Sequence, residues 1–256
     1  MKKFIILVLL FLASVSFAQN RIFYAAGSSG KKKVALTFDD GPGAITKDVL
    51  EILKNKNVKA TFFMLGINAA QFPATAKLIK EQGHEIANHT WAHVNFYAYK
   101  SAYVKTYYLP YFNKKNYFDF YPQRIREEIS GNKKYKIEEE LLSSQKAIQS
   151  ATGVKPFLVR YPHGYAKPDA IEVARKNGYY VINWTFGCDW HQNMTAEEMH
   201  NGYKQAIRNG AIFLMHDGSK NRRILSFLDQ FIDEIKEQGY EIVTISELLE
   251  LKPKEQ

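Results

Sequence analysis

The sequence predicts an α/β protein built on one parallel β-sheet, open or closed into a barrel, and three observations carry that reading. Seven short apolar runs of strand length occur along the chain. Helical patterns alternate with them, which argues for parallel rather than antiparallel strands. Glycine follows five of the helical patterns, at Gly83, Gly153, Gly178, Gly210 and Gly239, where C-terminal caps are expected.

The first strand, 34–38, reads Val-Ala-Leu-Thr-Phe and is broken soon after by Gly41-Pro42. A helical pattern over 45–55 leads to a strand at 60–65; a second, over 69–82, closes on Gly83 before a strand at 85–88. The pattern over 137–151 closes on Gly153 ahead of strand 157–160, and that over 169–176 on Gly178 ahead of strand 179–184. Patterns over 196–209 and 224–238 close on Gly210 and Gly239, ahead of strands 211–216 and 241–245. No internal repeat is present.

Ahead of this pattern, Lys2 and Lys3 precede an apolar run from Phe4 to Ala13, and Ser16-Phe17-Ala18 places small residues at the −3 and −1 positions of a cleavage site. Residues 1–18 are expected to be a secretory signal peptide, too short and wrongly flanked for a spanning helix; an uncleaved anchor is the alternative. Residues 19–32 read as a linker, 33–251 as one domain and 252–256 as a tail. Losing Lys2 and Lys3 with the signal leaves 33 basic against 26 acidic residues, a surplus that suits anionic cell-wall polymers. No nucleic-acid fingerprint is present, and export argues against that partner. With Cys188 the only cysteine, no intramolecular disulfide can form. A secreted, periplasmic or envelope-associated protein without a membrane span after cleavage is expected.

One stretch breaks the rhythm. Residues 96–121 hold twelve aromatics in 26 positions, with four lysines and no persistent period. So many aromatics need apolar area to bury, so the expectation is an ordered insertion, either a wall beside a cleft or a cover on the barrel side.

Reactive side chains collect where strands end. Asp39 and Asp40 close the first, where two adjacent carboxylates are costly unless a cation or shared proton absorbs their charge. His89-Thr90-Trp91-Ala92-His93 follows the third, with two imidazoles four residues apart that can converge on one ion. A carboxylate and two histidines, with a second carboxylate left as a base, suffice for metal-assisted hydrolysis. Arg160-Tyr161-Pro162-His163-Gly164, Asp189-Trp190 and His216-Asp217-Gly218 end three later strands. The C-terminal rim of a parallel sheet or barrel is where such folds place active sites.

These motifs, Thr37-Phe38-Asp39-Asp40-Gly41-Pro42 and His89-Thr90-Trp91-Ala92-His93 above all, resemble those of the polysaccharide deacetylases, carbohydrate esterase family four. The resemblance spans 33–249, with the aromatic stretch as an insertion, and implies a distorted (β/α) barrel of about seven parallel strands. It also implies roles. Asp39 would be the general base, with Arg160 orienting it. Asp40, His89 and His93 would hold a divalent metal, zinc first, with cobalt, nickel or manganese as alternatives. The backbone N–H of His163 would help form an oxyanion hole. Asp189 would support His216 as general acid, and Trp190 and Leu214 would wall a pocket for the acetyl methyl. Two positions depart from the family pattern: Phe186 stands where an additional Asp is common, and His163 where a tyrosine is common. The activity implied is a metal-dependent hydrolase of linear amides that removes acetyl groups from an N-acetylglucosamine-containing polymer such as peptidoglycan, chitin oligomers or a surface polysaccharide. The alternatives are an O-acetyl xylan esterase and a carbohydrate-binding protein on an inactive scaffold.

Overall fold

The computed structural model describes residues 21–28, 30–97, 133–218 and 222–254. The expected signal peptide and most of the aromatic insertion, 98–121, lie outside the described residues. Eight strands are described: β1 (Phe23–Tyr24), β2 (Lys33–Asp39), β3 (Thr61–Met64), β4 (Glu85–Asn88), β5 (Leu158–Val159), β6 (Tyr180–Ile182), β7 (Ile212–His216) and β8 (Glu241–Ile242). Their order is β1-β6-β5-β4-β3-β2-β7, every pairing is parallel, and β8 pairs with the start of β2.

The sheet closes on itself through an irregular seam, which is the distortion expected of the barrel. The chain leaving β6 reaches β7, where the Thr185 N–H donates to the Ile212 carbonyl at 2.9 Å and the Leu214 N–H to the Phe186 carbonyl at 2.8 Å. Strands buried on both faces explain the near-continuous apolar runs. In β2 the outer positions Val34, Leu36 and Phe38 pack with Val49 and Leu53, residues of a flanking helix. The inner position Ala35 joins Phe63, Ala87, Leu158, Ile182 and Ile212 inside the barrel. Strand side chains alternate between faces, so Thr37 and Asp39 continue the inner row and Asp39 reaches the barrel mouth from within. Arg160 follows inner Leu158 by two residues, and His216 follows inner Ile212 by four.

The helices are α1 (Thr46–Asn55), α2 (Gly66–Gln71), α3 (Pro73–Glu81), α4 (Lys133–Thr152), α5 (Pro168–Lys176), α6 (Ala196–Gln205), α7 (Leu228–Glu237) and α8 (Ile245–Leu249). The five glycines expected at helix ends all have positive φ, but only four follow a helix directly: α6, expected over 196–209, stops at Gln205, five residues before Gly210. Three further sequence expectations need correction. The helix expected over 69–82 is two, because Pro73 lacks an N–H and starts a new helix at its first position. The one expected over 224–238 begins as a 3₁₀ turn, Arg223–Ser226, ahead of α7. The strand expected over 241–245 stops at Ile242, since Thr244 accepts from the Glu247 N–H and caps α8. In addition, Phe23–Tyr24, within the stretch read as linker, pairs with β6. Among the described residues no helix is long and apolar enough to cross a membrane.

Candidate active site

Strand register brings the ends of distant segments together. Asp39 on β2 lies opposite His216 on β7 and Phe63 on β3, and Asn88, one residue before His89, lies opposite Val159, one before Arg160. The sequence-named residues therefore share one rim.

Arg160 is fully buried and fixed on four sides. Its Nη1 donates to Asp39 Oδ1 at 2.7 Å and Thr37 Oγ1 at 2.8 Å, Nε to the Ile182 carbonyl at 3.1 Å, and Nη2 to the Asn183 carbonyl at 3.2 Å. The guanidinium also lies 4.1 Å above the Phe63 ring. Asp39, 2% exposed, is thus held by a buried cation of fixed geometry, while its Oδ2 lies 3.6 Å from His89 Nε2.

Asp40 leaves the strand at φ 71°, a left-handed turn that takes its carboxylate off the strand's alternation. Gly41 permits the turn to pack: a Cβ there would lie 2.2 Å from Asp217 Oδ2. Around Asp40 stand two imidazoles. His89 Nδ1 sits 2.6 Å from the Arg160 carbonyl, which can only accept, so Nδ1 carries a proton and Nε2 faces the carboxylates. His89 Nε2 and His93 Nε2 lie 3.4 and 3.5 Å from Asp40 Oδ1. Asp40, His89 and His93 each offer a ligand atom within 4.8 Å of the others.

Charge and hydrogen bonding fit a divalent cation among these three residues. Among the described residues Asp40 Oδ1 is buried and has no hydrogen-bond partner, a costly state for an acceptor unless a cation completes it. Burial alone would raise the Asp40 pKa, but the surrounding imidazoles of His93, His89 and His216 draw it well below the usual carboxylate range. Burial pushes His93 down to about 3 against the pull of Asp40, so its imidazole is neutral and its lone pair is available. His89 is shifted upward, because Asp39 and Asp40 outweigh its burial. One carboxylate and two imidazoles form a donor set suited to zinc and to other late first-row divalent ions.

Across the mouth, Asp189 grips His216 with both oxygens: Nδ1 lies 2.9 Å from Oδ1, and the His216 N–H donates to Oδ2 at 2.8 Å. Burial works against the imidazolium, yet Asp189, with help from Asp40 and Asp39, pushes the His216 pKa up to about 10. The Trp190 ring meets the His216 ring edge-on at 5.6 Å and remains 43% exposed. Leu214 is buried, and its carbonyl accepts from the Tyr203 hydroxyl at 2.6 Å. His163 is exposed at φ 57°, its ring 4.9 Å from that of His93.

All ten residues named from sequence fall at this mouth; several supporting ones were not named. Thr37 relays Arg160 to the barrel wall, donating to the Phe213 carbonyl at 2.7 Å. A hydroxyl on the inner row of an apolar strand was its only trace. Asp217 is fully buried, its Oδ2 accepting from Thr46 Oγ1 at 2.5 Å, and Thr46 Oγ1 accepts in turn from the Gly43 N–H at 2.7 Å. Burial, reinforced by Asp40 and Asp39 and opposed by Thr46, pushes the Asp217 carboxyl up to about 7. The acid directly after His216 was visible in sequence, but its partner lies 171 residues away.

The family model for polysaccharide deacetylase matches residues 26–182. A peptidoglycan-N-acetylglucosamine deacetylase of Bacillus cereus is 31% identical over 88% of this chain and 91% of its own. The corresponding enzyme of Listeria monocytogenes is 33% identical over 85% of this chain, which spans only 39% of that longer protein. Among solved structures, a peptidoglycan N-acetylglucosamine deacetylase in complex with a naphthalenyl N-oxidanyl-benzamide superposes at TM-score 0.74 with 25% identity, covering 94% of this chain and 99% of that one. A pseudoenzyme of carbohydrate esterase family four from Bacillus anthracis superposes at 0.69 with 27% identity over 88% of this chain and 68% of its own. Likeness of fold therefore accompanies both activity and its loss, and the side chains at the mouth must decide. By the length of the match and by these relatives, the chain belongs to the polysaccharide deacetylase family, a family of carbohydrate deacetylases.

Proposed function

We propose that this chain is a metal-dependent N-deacetylase of an N-acetylglucosamine-containing cell-envelope polymer, with peptidoglycan the first substrate to test. The observation that carries the proposal is the coincidence on one rim of a cation-ready triad (Asp40, His89, His93), an arginine-held carboxylate (Asp39) and a carboxylate-held imidazolium (His216). Relatives that act on peptidoglycan support the substrate class, and the surplus of basic residues suits an anionic wall. Action outside the cytoplasmic membrane follows from that substrate and from the signal-like first 18 residues.

The divalent cation, when bound, supplies polarisation of the acetyl carbonyl and a lowered pKa for the attacking water. The protein's own groups do the rest. Asp39, oriented by Arg160, accepts a proton as water oxygen bonds to the acetyl carbon. The His163 N–H is assigned to the oxyanion, and its left-handed backbone fixes the direction of that donor. The amide nitrogen leaves only when protonated, and His216 Nε2 holds that proton because Asp189 stabilises the imidazolium. The carbon–nitrogen bond then breaks to give acetate and a free glucosamine amine. Trp190, beside His216, and the buried Leu214 are assigned to the acetyl methyl.

Acetate release from peptidoglycan, chitin oligomers and acetylated xylan, measured before chelation, after it and after metal return, tests this reading. Metal-dependent release from the amide substrates supports it. Release from xylan alone would assign an O-esterase instead. No metal bound and no acetate from any substrate would leave a binding protein on this scaffold.

A further inference from the structure

The loop that carries both metal-ligating histidines is held from outside the site. Residues 89–93 include two non-glycine residues at positive φ, Thr90 at 69° and His93 at 57°, conformations that persist only where surrounding contacts impose them. Those contacts are backbone-directed. The carbonyls of Thr90 and Trp91 accept from the Gly66 and Ile67 N–H groups at the start of α2, at 2.9 and 3.1 Å. The His89 N–H donates to the Met64 carbonyl at 2.8 Å, and the Thr90 N–H to Asn88 Oδ1 at 2.8 Å. Asn88 Nδ2 donates to the Leu141 carbonyl of α4 at 3.0 Å. The Ala92 N–H, immediately before His93, donates to Glu140 Oε2 at 2.8 Å.

Glu140 is an unusual acceptor. Its side chain is wholly buried on α4, 48 residues from Ala92, and its Oε1 lies 3.1 Å from the ammonium of Lys136, itself 2% exposed. Lys136 also meets Glu139 at 3.3 Å. Burying such a pair costs several kcal/mol of desolvation per ion, and a hydrophobic pair of the same volume is often as stable. Stability alone is thus a weak reason for a charged pair here. A charge-assisted hydrogen bond to the backbone beside a metal ligand, roughly twice as strong as a neutral one, is a better reason.

We infer that Glu140, aimed by Lys136, is a positioning residue for the metal centre: it fixes the Ala92 peptide and thereby the direction of His93. The inference rests on the metal-site reading above. Its chemistry is that of an outer-shell support acting through backbone, for which losses of about ten- to a hundredfold in metal affinity are typical.

The test is zinc titration of metal-free protein against a competing chromophoric chelator, with amide hydrogen exchange at Ala92 as a second readout. The double variant Lys136→Met/Glu140→Leu removes the acceptor while conserving volume, so the barrel should fold. Zinc affinity should fall roughly tenfold or more, and Ala92 should exchange faster. Lys136→Met/Glu140→Gln keeps an oxygen for Ala92 but makes the bond a neutral one, and should recover only part of the affinity. Equal zinc affinity in wild type and the Leu variant, with both folded, would overturn the inference; so would equal losses in the Leu and Gln variants. If the Leu variant does not fold, single Glu140→Gln decides: weaker zinc binding and faster exchange at Ala92 are expected of the neutral bond, and wild-type affinity and exchange would overturn the inference. Failure of wild type itself to bind zinc would instead defeat the metal-site reading.

Discussion

The two halves of the barrel mouth are built differently. On the ligand side, Asp40, Thr90 and His93 all sit at positive φ, and backbone bonds from α2 and β3 together with the Glu140 carboxylate of α4 lock the loop. On the donor side, His216 ends an ordinary strand, gripped by the single carboxylate of Asp189, with the half-exposed Trp190 beside it. A cation tolerates little error in ligand placement, and the loop proposed to carry its histidines is fixed at its backbone from several elements, in part through the side chains of Asn88 and Glu140. A proton donor must exchange with solvent each turnover, so its residue is tuned by one partner at an open edge. On the proposed mechanism, the ligand side sets whether the metal is held, and the donor side sets how fast the amine leaves.

Substitutions should separate the halves. The largest effect is expected at the ligands. His89→Ala or Asp40→Asn should abolish metal binding at micromolar metal and activity with it, as measured by metal content after dialysis. Retained metal in both would break the division.

Next comes His216→Asn, which should keep wild-type metal affinity and lose on the order of 10²–10⁴ in kcat, the range for general acid–base catalysis. The same residue makes a pH-dependent contribution to stability. Its folded pKa, about 10, stands above the ordinary 6.5, so the stabilisation is fully present below pH 6.5 and is lost as pH rises towards 10. Urea unfolding of metal-free wild type and His216→Asn across pH 6 to 10 should show the difference between them shrinking over that window. A constant difference would detach His216 from Asp189.

The smallest effect is expected at Trp190. Being 43% exposed, it contributes contact area more than charge, so Trp190→Ala should raise KM by about tenfold, as for a lost apolar contact, with little change in metal affinity or stability.

Most of the fold was legible because the strands are buried on both faces and four of the five glycines mark helix ends. Pro73 and the Thr244 cap were local signals outweighed by longer apolar patterns. The seam at Thr185–Phe186 was not legible, since backbone bonds to β7 leave no trace in side-chain pattern. The same contrast holds at the site. Asp39, Asp40, His89, His93, Arg160 and His216 announce themselves as reactive groups at strand ends. Thr37, Thr46, Asp217 and Glu140 act through partners far along the chain, and a buried Glu on a helix reads as surface until its Lys136 neighbour is seen beneath it.

The most direct test of the account is the division of labour between two adjacent carboxylates. Metal affinity and acetate release should be measured together on Asp39→Asn. Asp39 is bound by Arg160, whereas Asp40 Oδ1 has no hydrogen-bond partner among the described residues, so Asp39→Asn should bind metal as wild type does yet release acetate at least a hundredfold more slowly, the lower bound for a lost general base. Loss of metal from Asp39→Asn, or acetate release at the wild-type rate, would contradict the account.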